Sequence, residues 1–305
     1  MKHFNHVEVS SMPRGEKQSV ALYSVIAAVG LTALKLIVGL TTNSLGILAE
    51  AAHSGLDLVA ALVTLMAVSV SARPPDSEHH YGHGKVENLS ALFETLLLLV
   101  TCAWILYEAA ERLLFKNIQV DVSIWAFIIM IASIIVDYSR SRNLSRAAKK
   151  YRSQALEADA LHFGTDIWSS IVVVIGLVIV RLGESNSQLQ QMTKADSLAA
   201  VLVACIVIYV SLRLGGRTVQ GILDRAPQGL REKIKRSVES LPGVYNCHEI
   251  RVRTSGEKFF IDMHVLLDSK QPLEDAHKLT EDIEITVKRI VPEADVTVHA
   301  EPIKR

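Results

Sequence analysis

Cysteine is scarce in this 305-residue chain: there are three. Cys102 and Cys205 lie in apolar runs and Cys247 in a polar stretch, with no CxxC spacing among them. An odd count without paired spacing excludes a disulfide framework and a thiolate zinc site. The three read as packing residues. An excess of either charge is also missing, since Lys+Arg and Asp+Glu both number 32. Without a basic surplus to neutralise phosphates, nucleic acid is excluded as a partner. Charge is sparse over most of the chain. Residues 226–305 hold 27 of the 64 charged side chains, about a third of that segment, and the first 225 residues hold the rest. A water-soluble globule does not segregate its charge in this way. Low-complexity disorder is excluded by a hydrophobic content of 50%.

What is present is long apolar runs, with a mean hydropathy of +0.28. A helix needs about 20 mostly apolar residues to cross the hydrocarbon. Six stretches qualify, near 20–42, 46–71, 88–113, 121–142, 155–182 and 196–215. Asp137 falls in the last turn of the fourth, where it is expected to snorkel. Lys and Arg set the orientation. The connection TTNS after the first span has none, while Lys116 and Lys194 are the ones in the connections after the third and fifth. The connection SRSRNLSRAAKKYR after the fourth is rich in them, the one after the second carries Arg73 and Lys85, and the start of the chain carries Lys2, Arg14 and Lys17. The expectation is six spans with both termini in the cytoplasm. The polar start MKHFNHVEVSSMPRGEK does not read as a cleavable signal peptide.

Beyond the spans the pattern changes. LREKIKRSVES places Leu230, Ile234 and Val238 at helical spacing and is stopped by Pro242-Gly243. The stretch from Asn246 to Asp268 reads as a hairpin, alternating through His248, Ile250 and Val252, turning at Ser255-Gly256, then alternating through Phe260, Asp262 and His264. LEDAHKLTEDIEITVKRIV is an amphipathic helix and DVTVHAE a third strand. The expected fold is therefore an α-helical membrane protein with six transmembrane helices, plus a small α+β unit of order α-β-β-α-β, ferredoxin-like or metallochaperone-like. The division expected is a segment 1–19, a transmembrane domain 20–220 and a cytoplasmic domain 221–305.

Nine of the eleven histidines fall into four groups. Two of the groups lie inside spans. The second span contains HSGLD, His53 to Asp57, and the fifth contains HFGTD, His162 to Asp166. Residues four apart share a helix face. Two such helices packed together offer two imidazoles and two carboxylates, a set suited to tetrahedral Zn²⁺. Ala51, Ala52, Ser54, Gly55, Gly164 and Thr165 beside the pairs are small enough to let the two helices approach. An aspartate at the helix centre costs about 2.5–3.5 kcal/mol on insertion. Two of them approach the net stability of a domain, so they persist where they bind something. Two aspartates and two neutral histidines balance Zn²⁺. The empty site holds two unpaired negative charges, which protons must neutralise. With histidine titrating near pH 6.5, exchange of Zn²⁺ for H⁺ is expected.

These features resemble the cation diffusion facilitator family of zinc and iron exporters, along nearly the whole chain. The resemblance rests on LAEAAHSGLD, HYGHGKVE, LEADALHFGTD, LDRA after the sixth span and the histidine-bearing end. It implies a homodimer in the lipid bilayer that exports divalent metal from the cytoplasm in exchange for protons. The implied transport site is His53, Asp57, His162 and Asp166, and a histidine at position 53 resembles the zinc-preferring members. The loop RPPDSEHHYGHGKVE offers Asp76, His79, His80 and His83. Spacing leaves His80 open, and the resemblance picks Asp76, His79 and His83. In the cytoplasmic domain it implies a regulatory zinc site at a dimer interface, built from His248, His264, His277 and His299 with Glu301. Aspartate is common among relatives at that last position.

Three other pairings follow from position. Lys85 and Asp224 are expected to form an ion pair holding the dimer. Lys35 is expected to snorkel or to neutralise a carboxylate. Glu94 is open to a proton-relay role, but one glutamate without a partner motif is a thin signal, and the reading favoured for it is a structural one. Two rival readings stand beside Zn²⁺ export: the same transporter with Fe²⁺, Co²⁺, Ni²⁺ or Cd²⁺ as cargo, and a metal-sensing membrane protein without transport. The chain is not expected to be an enzyme. It has no HExxH, and four protein ligands leave zinc no open position for water.

Overall fold

The computed structural model describes residues 14–114, 124–183, 193–292 and 294–303. Six long helices come first: α1 (Arg14–Thr41), α2 (Leu45–Ser71), α3 (Val86–Leu114), α4 (Ile124–Tyr151), α5 (Gln154–Gly183) and α6 (Thr193–Ile222). Each takes up one expected span. Lys2, Lys116 and the start of the fourth expected span lie outside the described residues. Among the described residues Gly15–Thr41, Glu50–Ser71 and Val86–Tyr107 are each long and apolar enough to cross a membrane. Their outer faces present Leu40, Met66, Val100 and Trp104 to the surroundings, as a lipid-facing bundle does. Helix pairs α1–α2, α4–α5 and α3–α6 pack most extensively, and α2 also meets α5.

The basic stretch SRSRNLSRAAKKYR is not a loop. α4 continues through it to Tyr151, because Leu, Ala, Arg and Lys are good helix formers. Only Arg152 and Ser153 separate α4 from α5. Arg152 takes a positive φ of 49°, and Ser153 Oγ accepts from the backbone N–H of Leu156 at the start of α5.

A smaller unit follows: α7 (Leu230–Glu239), β1 (Asn246–Ser255), β2 (Lys258–Leu267), α8 (Leu273–Ile290) and β3 (Ala294–Pro302). The sheet order is β1-β2-β3, with β1 and β2 antiparallel and β2 and β3 parallel. Ile234 and Val238 of α7 and Ile283 and Val287 of α8 share one core with Val252, Ile261 and Val265 of the sheet. Both helices therefore cover one face and leave the other open. Phe260, Asp262 and His264 fall on alternate positions of β2, as expected. The alternation in β1 is broken. Register shifts between His248 and Arg251, and Glu249 takes a φ of 48°. Cys247, not His248, therefore joins Ile250 and Val252 in the core.

The two parts of the chain touch through the α2–α3 connection. The Ser255-Gly256 turn lies so close to Gly84 that a Cβ there would come 2.3 Å from the Ser255 carbonyl oxygen. Tyr81 packs edge-on to Phe260 at 5.1 Å between centroids, and the Arg253 guanidinium lies 3.8 Å over Tyr81. Lys17 of α1 bonds Glu87 of α3 and also reaches Glu257 of the β1–β2 turn at 2.9 Å.

Candidate metal centres

α2 carries His53 and Asp57 on adjacent turns, and α5 carries His162 and Asp166 in the same way. Helix packing brings all four together. His162 Nε2 lies 3.1 Å from Asp57 Oδ1 and 3.5 Å from Asp166 Oδ2. His53 Nε2 lies 3.9 Å from Asp57 Oδ1 and 3.9 Å from Asp166 Oδ1. Each imidazole thus faces both carboxylates. Ligand atoms of His53, Asp57 and Asp166 all lie within 4.8 Å of one another; His162 reaches both carboxylates but stays outside that mutual group. The group is enclosed unevenly: the His162 side chain is 5% exposed and the His53 side chain 38%.

The small residues beside the pairs serve other neighbours. The backbone oxygen of Ser54 accepts from Thr32 Oγ1 of α1, and its hydroxyl bonds Lys35 at 2.7 Å. A Cβ at Gly55 would meet nothing, and one at Gly164 would face Ser141 of α4. Of these residues, Ser54 faces α1 and Gly164 faces α4, while Ala52 and Gly55 leave open space around them. Lys35 neutralises a carboxylate, reaching Glu50 at 3.2 Å. Glu94 is fully buried within the bundle and bonds Thr64 of α2.

A buried network beneath the site escaped sequence reasoning. Asp137 does not snorkel; it is buried and pairs with Arg140 at 3.1 Å. Arg140 is 1% exposed. It donates to Ser24 Oγ through Nε and a terminal nitrogen, and Ser24 bonds Asp159 of α5. Its guanidinium lies 3.4 Å over the ring of Phe163, the neighbour of His162. The available signal was the Asp137–Arg140 spacing of three, which puts both on one helix face.

In the α2–α3 connection, Asp76 Oδ1 accepts from the backbone N–H groups of Glu78 and His79 and lies 3.1 Å from His79 Nδ1. Asp76 Oδ2 lies 3.3 Å from His83 Nε2. The backbone N–H of His79, then that of Glu78, hold the Asp76 carboxyl down at about 2, so it is anionic at neutral pH. His80 turns away, its Nε2 3.0 Å from the Ser77 carbonyl.

On the open sheet face, His248, His264 and His299 stand opposite one another across three strands. Glu301 lies 2.8 Å from His264 Nδ1, 3.4 Å from His248 and 3.8 Å from His299. His248, His264 and Glu301 close into one group within 4.8 Å, and His299 stays outside it. The hydrogen bond with His264 lowers the Glu301 carboxyl. Glu249 joins from the β1 bulge, 3.7 Å from His264 Nε2. Sequence alternation gave no sign of it. His277 stands apart: its side chain is 71% exposed on α8, 3.6 Å from Glu281. The three strand histidines lie on the face away from the helices.

Lys85 and Asp224 do pair, at 2.9 Å, but the pair closes within one chain, between the start of α3 and the end of α6. Cys102 and Cys247 are buried, as packing residues are, and burial pushes the Cys247 thiol up to about 11. Cys205 is exposed on α6 instead.

Two family models match this chain: a cation efflux transmembrane domain over residues 21–223 and the cation efflux protein cytoplasmic domain over 226–303. The cation-efflux pump FieF of Serratia proteamaculans is 31% identical over 290 residues, covering 93% of this chain and 92% of its own. The FieF of Shewanella oneidensis is 31% identical over 282 residues, covering 92% of each. The metal-bound C-terminal domain of the CzcD transporter from Thermotoga maritima is 35% identical over 25% of this chain and 90% of its own, with a TM-score of 0.24. The protein is an integral membrane cation-efflux transporter with a C-terminal cytoplasmic domain, and the chain belongs to the cation diffusion facilitator family of metal exporters.

Proposed function

We propose that the protein exports Zn²⁺ from the cytoplasm in exchange for protons, through His53, Asp57, His162 and Asp166. The observation that carries this reading is the approach of each imidazole nitrogen to both carboxylates, within 3.9 Å. Two nitrogen and two oxygen donors suit Zn²⁺, and imidazole disfavours Mg²⁺ and Mn²⁺. Charge balance supplies the coupling. The two aspartates and two neutral imidazoles cancel the charge of the ion. When the ion leaves, the low-dielectric site regains neutrality by taking up protons at the imidazoles. Protons arriving from the far side thus expel the metal, and metal arriving from the cytoplasm expels protons.

The other two clusters read as regulatory. Asp76, His79 and His83 form a three-ligand site at the cytoplasmic membrane surface. His248, His264, His299 and Glu301 form a second, with Glu249 within reach. The protein works as a homodimer whose cytoplasmic domains zinc draws together, with His277 contributing across copies. In this reading residues 1–19 are a cytoplasmic segment, 20–220 the transport domain and 221–305 the metal-binding dimerisation domain. Both termini lie in the cytoplasm of a bacterial inner membrane.

Zinc titration in detergent tests the reading. Native protein should release protons on binding, read as a buffer-dependent enthalpy, and the intramembrane component should vanish in Asp57→Ala. Parallel titrations with Fe²⁺, Co²⁺, Ni²⁺ and Cd²⁺ rank the cargo. Proton release that persists unchanged in Asp57→Ala would contradict the assignment.

A further inference from the structure

The α1–α4 groove at the cytoplasmic membrane surface carries a chemistry the transport site does not use. It has a volume of about 310 Å³ and is lined by Tyr23 of α1 and by Asn143, Arg146 and Lys150 of α4, among others. The exposed residues of α4 run along one face at spacings of three and four: Ile128, Ile131, Ile135, Tyr138, Arg142, Arg146 and Lys149. That stripe passes from hydrocarbon through a phenol to guanidinium and ammonium. α1 repeats the first part with exposed Val29, Ile26 and Tyr23. Tyr23 and Ser139 are hydrogen-bonded at 3.1 Å, which ties the two helices together at the level of Tyr138. Tyrosines mark the height where acyl chains give way to headgroups.

Below that level the groove and its rim are positive. Arg146 and Lys150 line the groove, Arg142 and Lys149 are exposed beside it on α4, and Glu16 is the one carboxylate among the described lining residues. Glu16 is already taken, by Lys150 at 2.5 Å and Tyr151 at 2.6 Å. Arg142 makes a 3.5 Å contact with the Tyr138 hydroxyl. Arg146 and Lys149 have no ion-pair partner among the described residues. We propose that this groove binds the phosphate headgroup of an anionic phospholipid, its acyl chains lying along Ile135 and Ile131 of α4 and Ile26 of α1.

Charge complementarity selects the headgroup, and the unbroken apolar stripe selects a lipid over a free phosphate. A guanidinium binds phosphate in a planar two-point fashion, so Arg146 in the groove is the principal contact, with Arg142 reaching the headgroup from the rim one turn nearer Tyr138. Each basic residue at a membrane surface strengthens attachment to anionic lipid about fivefold, and removing both weakens it about 30-fold.

Native mass spectrometry of the full-length protein in nonionic detergent tests this, with phosphatidylglycerol and phosphatidylcholine titrated in parallel. Phosphatidylglycerol should bind at least about tenfold more tightly. R142Q/R146Q should lose about 30-fold of that affinity, while K278Q/K288Q, a charge-matched change on exposed α8, should lose none. If the double variant does not fold, R146Q and K149Q separately should each lose about fivefold. Equal binding of the two lipids, or full phosphatidylglycerol affinity in R142Q/R146Q or in both single variants, would overturn the proposal. Displacement of phosphatidylglycerol by millimolar inorganic phosphate would overturn it too, by assigning the groove to the free anion.

Discussion

His162 Nε2 on α5 lies 3.1 Å from Asp57 Oδ1 on α2, so the two halves of the intramembrane site are in direct contact across the helix interface. Neither HxxxD motif alone gathers two imidazoles and two carboxylates; the pairing of α2 with α5 does. Losing a partner in the outer shell of a metal site weakens binding about 10–100-fold. Losing a direct ligand should weaken it more. Asp57→Ala and His162→Ala are each expected to lower zinc affinity at this site by at least about 100-fold. Isothermal titration of the purified variants checks this, and a loss under tenfold would mean that the residue is not a ligand.

Asp76 provides a pH test outside the bilayer. Its carboxyl is held below its ordinary value of 3.8, at about 2, chiefly by the backbone N–H of His79 and then that of Glu78. A carboxyl lowered by folding adds to loop order above pH 3.8. That contribution fades as pH falls towards 2. The turn at residues 76–79 should therefore keep its amide protection from neutral pH down to about pH 4. Asp76→Asn should lose much of it at neutral pH, together with zinc binding in the loop. Hydrogen exchange of the full-length protein reads both, and unchanged protection in Asp76→Asn would exclude the clamp.

Glu301 lies within 3.8 Å of three histidines on three strands. Glu301→Gln should weaken zinc binding by the cytoplasmic domain by at least about 100-fold, as loss of a direct ligand does. His277→Ala, remote from the cluster on exposed α8, should leave the affinity of a single domain unchanged and reduce only zinc-dependent association of two copies. Analytical ultracentrifugation with and without zinc separates the two effects. Equal loss of intrinsic affinity in both variants would contradict the geometry.

The domain junction makes a steric prediction. A Cβ on Gly84 would meet the backbone of Ser255 at 2.3 Å, and backbone cannot yield as a side chain does. Gly84→Ala should push the β1–β2 turn off the α2–α3 connection, at an overpacking cost of about 1–3 kcal/mol. Faster proteolysis near Ser255 in Gly84→Ala is the expected readout. Glu257→Gln, which weakens the Lys17 contact without a clash, should show a smaller increase. A cleavage rate in Gly84→Ala equal to native would mean the contact does not hold the turn.

The sequence made the intramembrane site legible because helical periodicity turns a four-residue spacing into a shared face, and because charge at membrane depth is too expensive to be incidental. The order of strands and helices in the cytoplasmic domain was legible for a related reason: its apolar residues alternate or recur regularly. Two kinds of feature were not. The bulge at Glu249 shifts the phase of β1 by one residue, which buries Cys247 and leaves His248 on the open face beside His264. Local pattern carries no mark of such a shift. Arg140 looked like the first residue of a basic loop, yet it is buried against Phe163 and Asp137. Its burial depends on α1, α4 and α5 meeting around it, which is a property of packing. His277 stands 71% exposed on α8, away from the strand histidines, and no local pattern separates it from them.

The most direct measurement is zinc movement in proteoliposomes under an imposed pH gradient, for native protein and Asp57→Ala, with internal pH followed in the same vesicles. The account predicts gradient-driven zinc flux with opposing proton flow in native protein, and neither in the variant. Zinc flux in native protein indifferent to the pH gradient, or flux retained in Asp57→Ala, would contradict proton-coupled transport through the paired site.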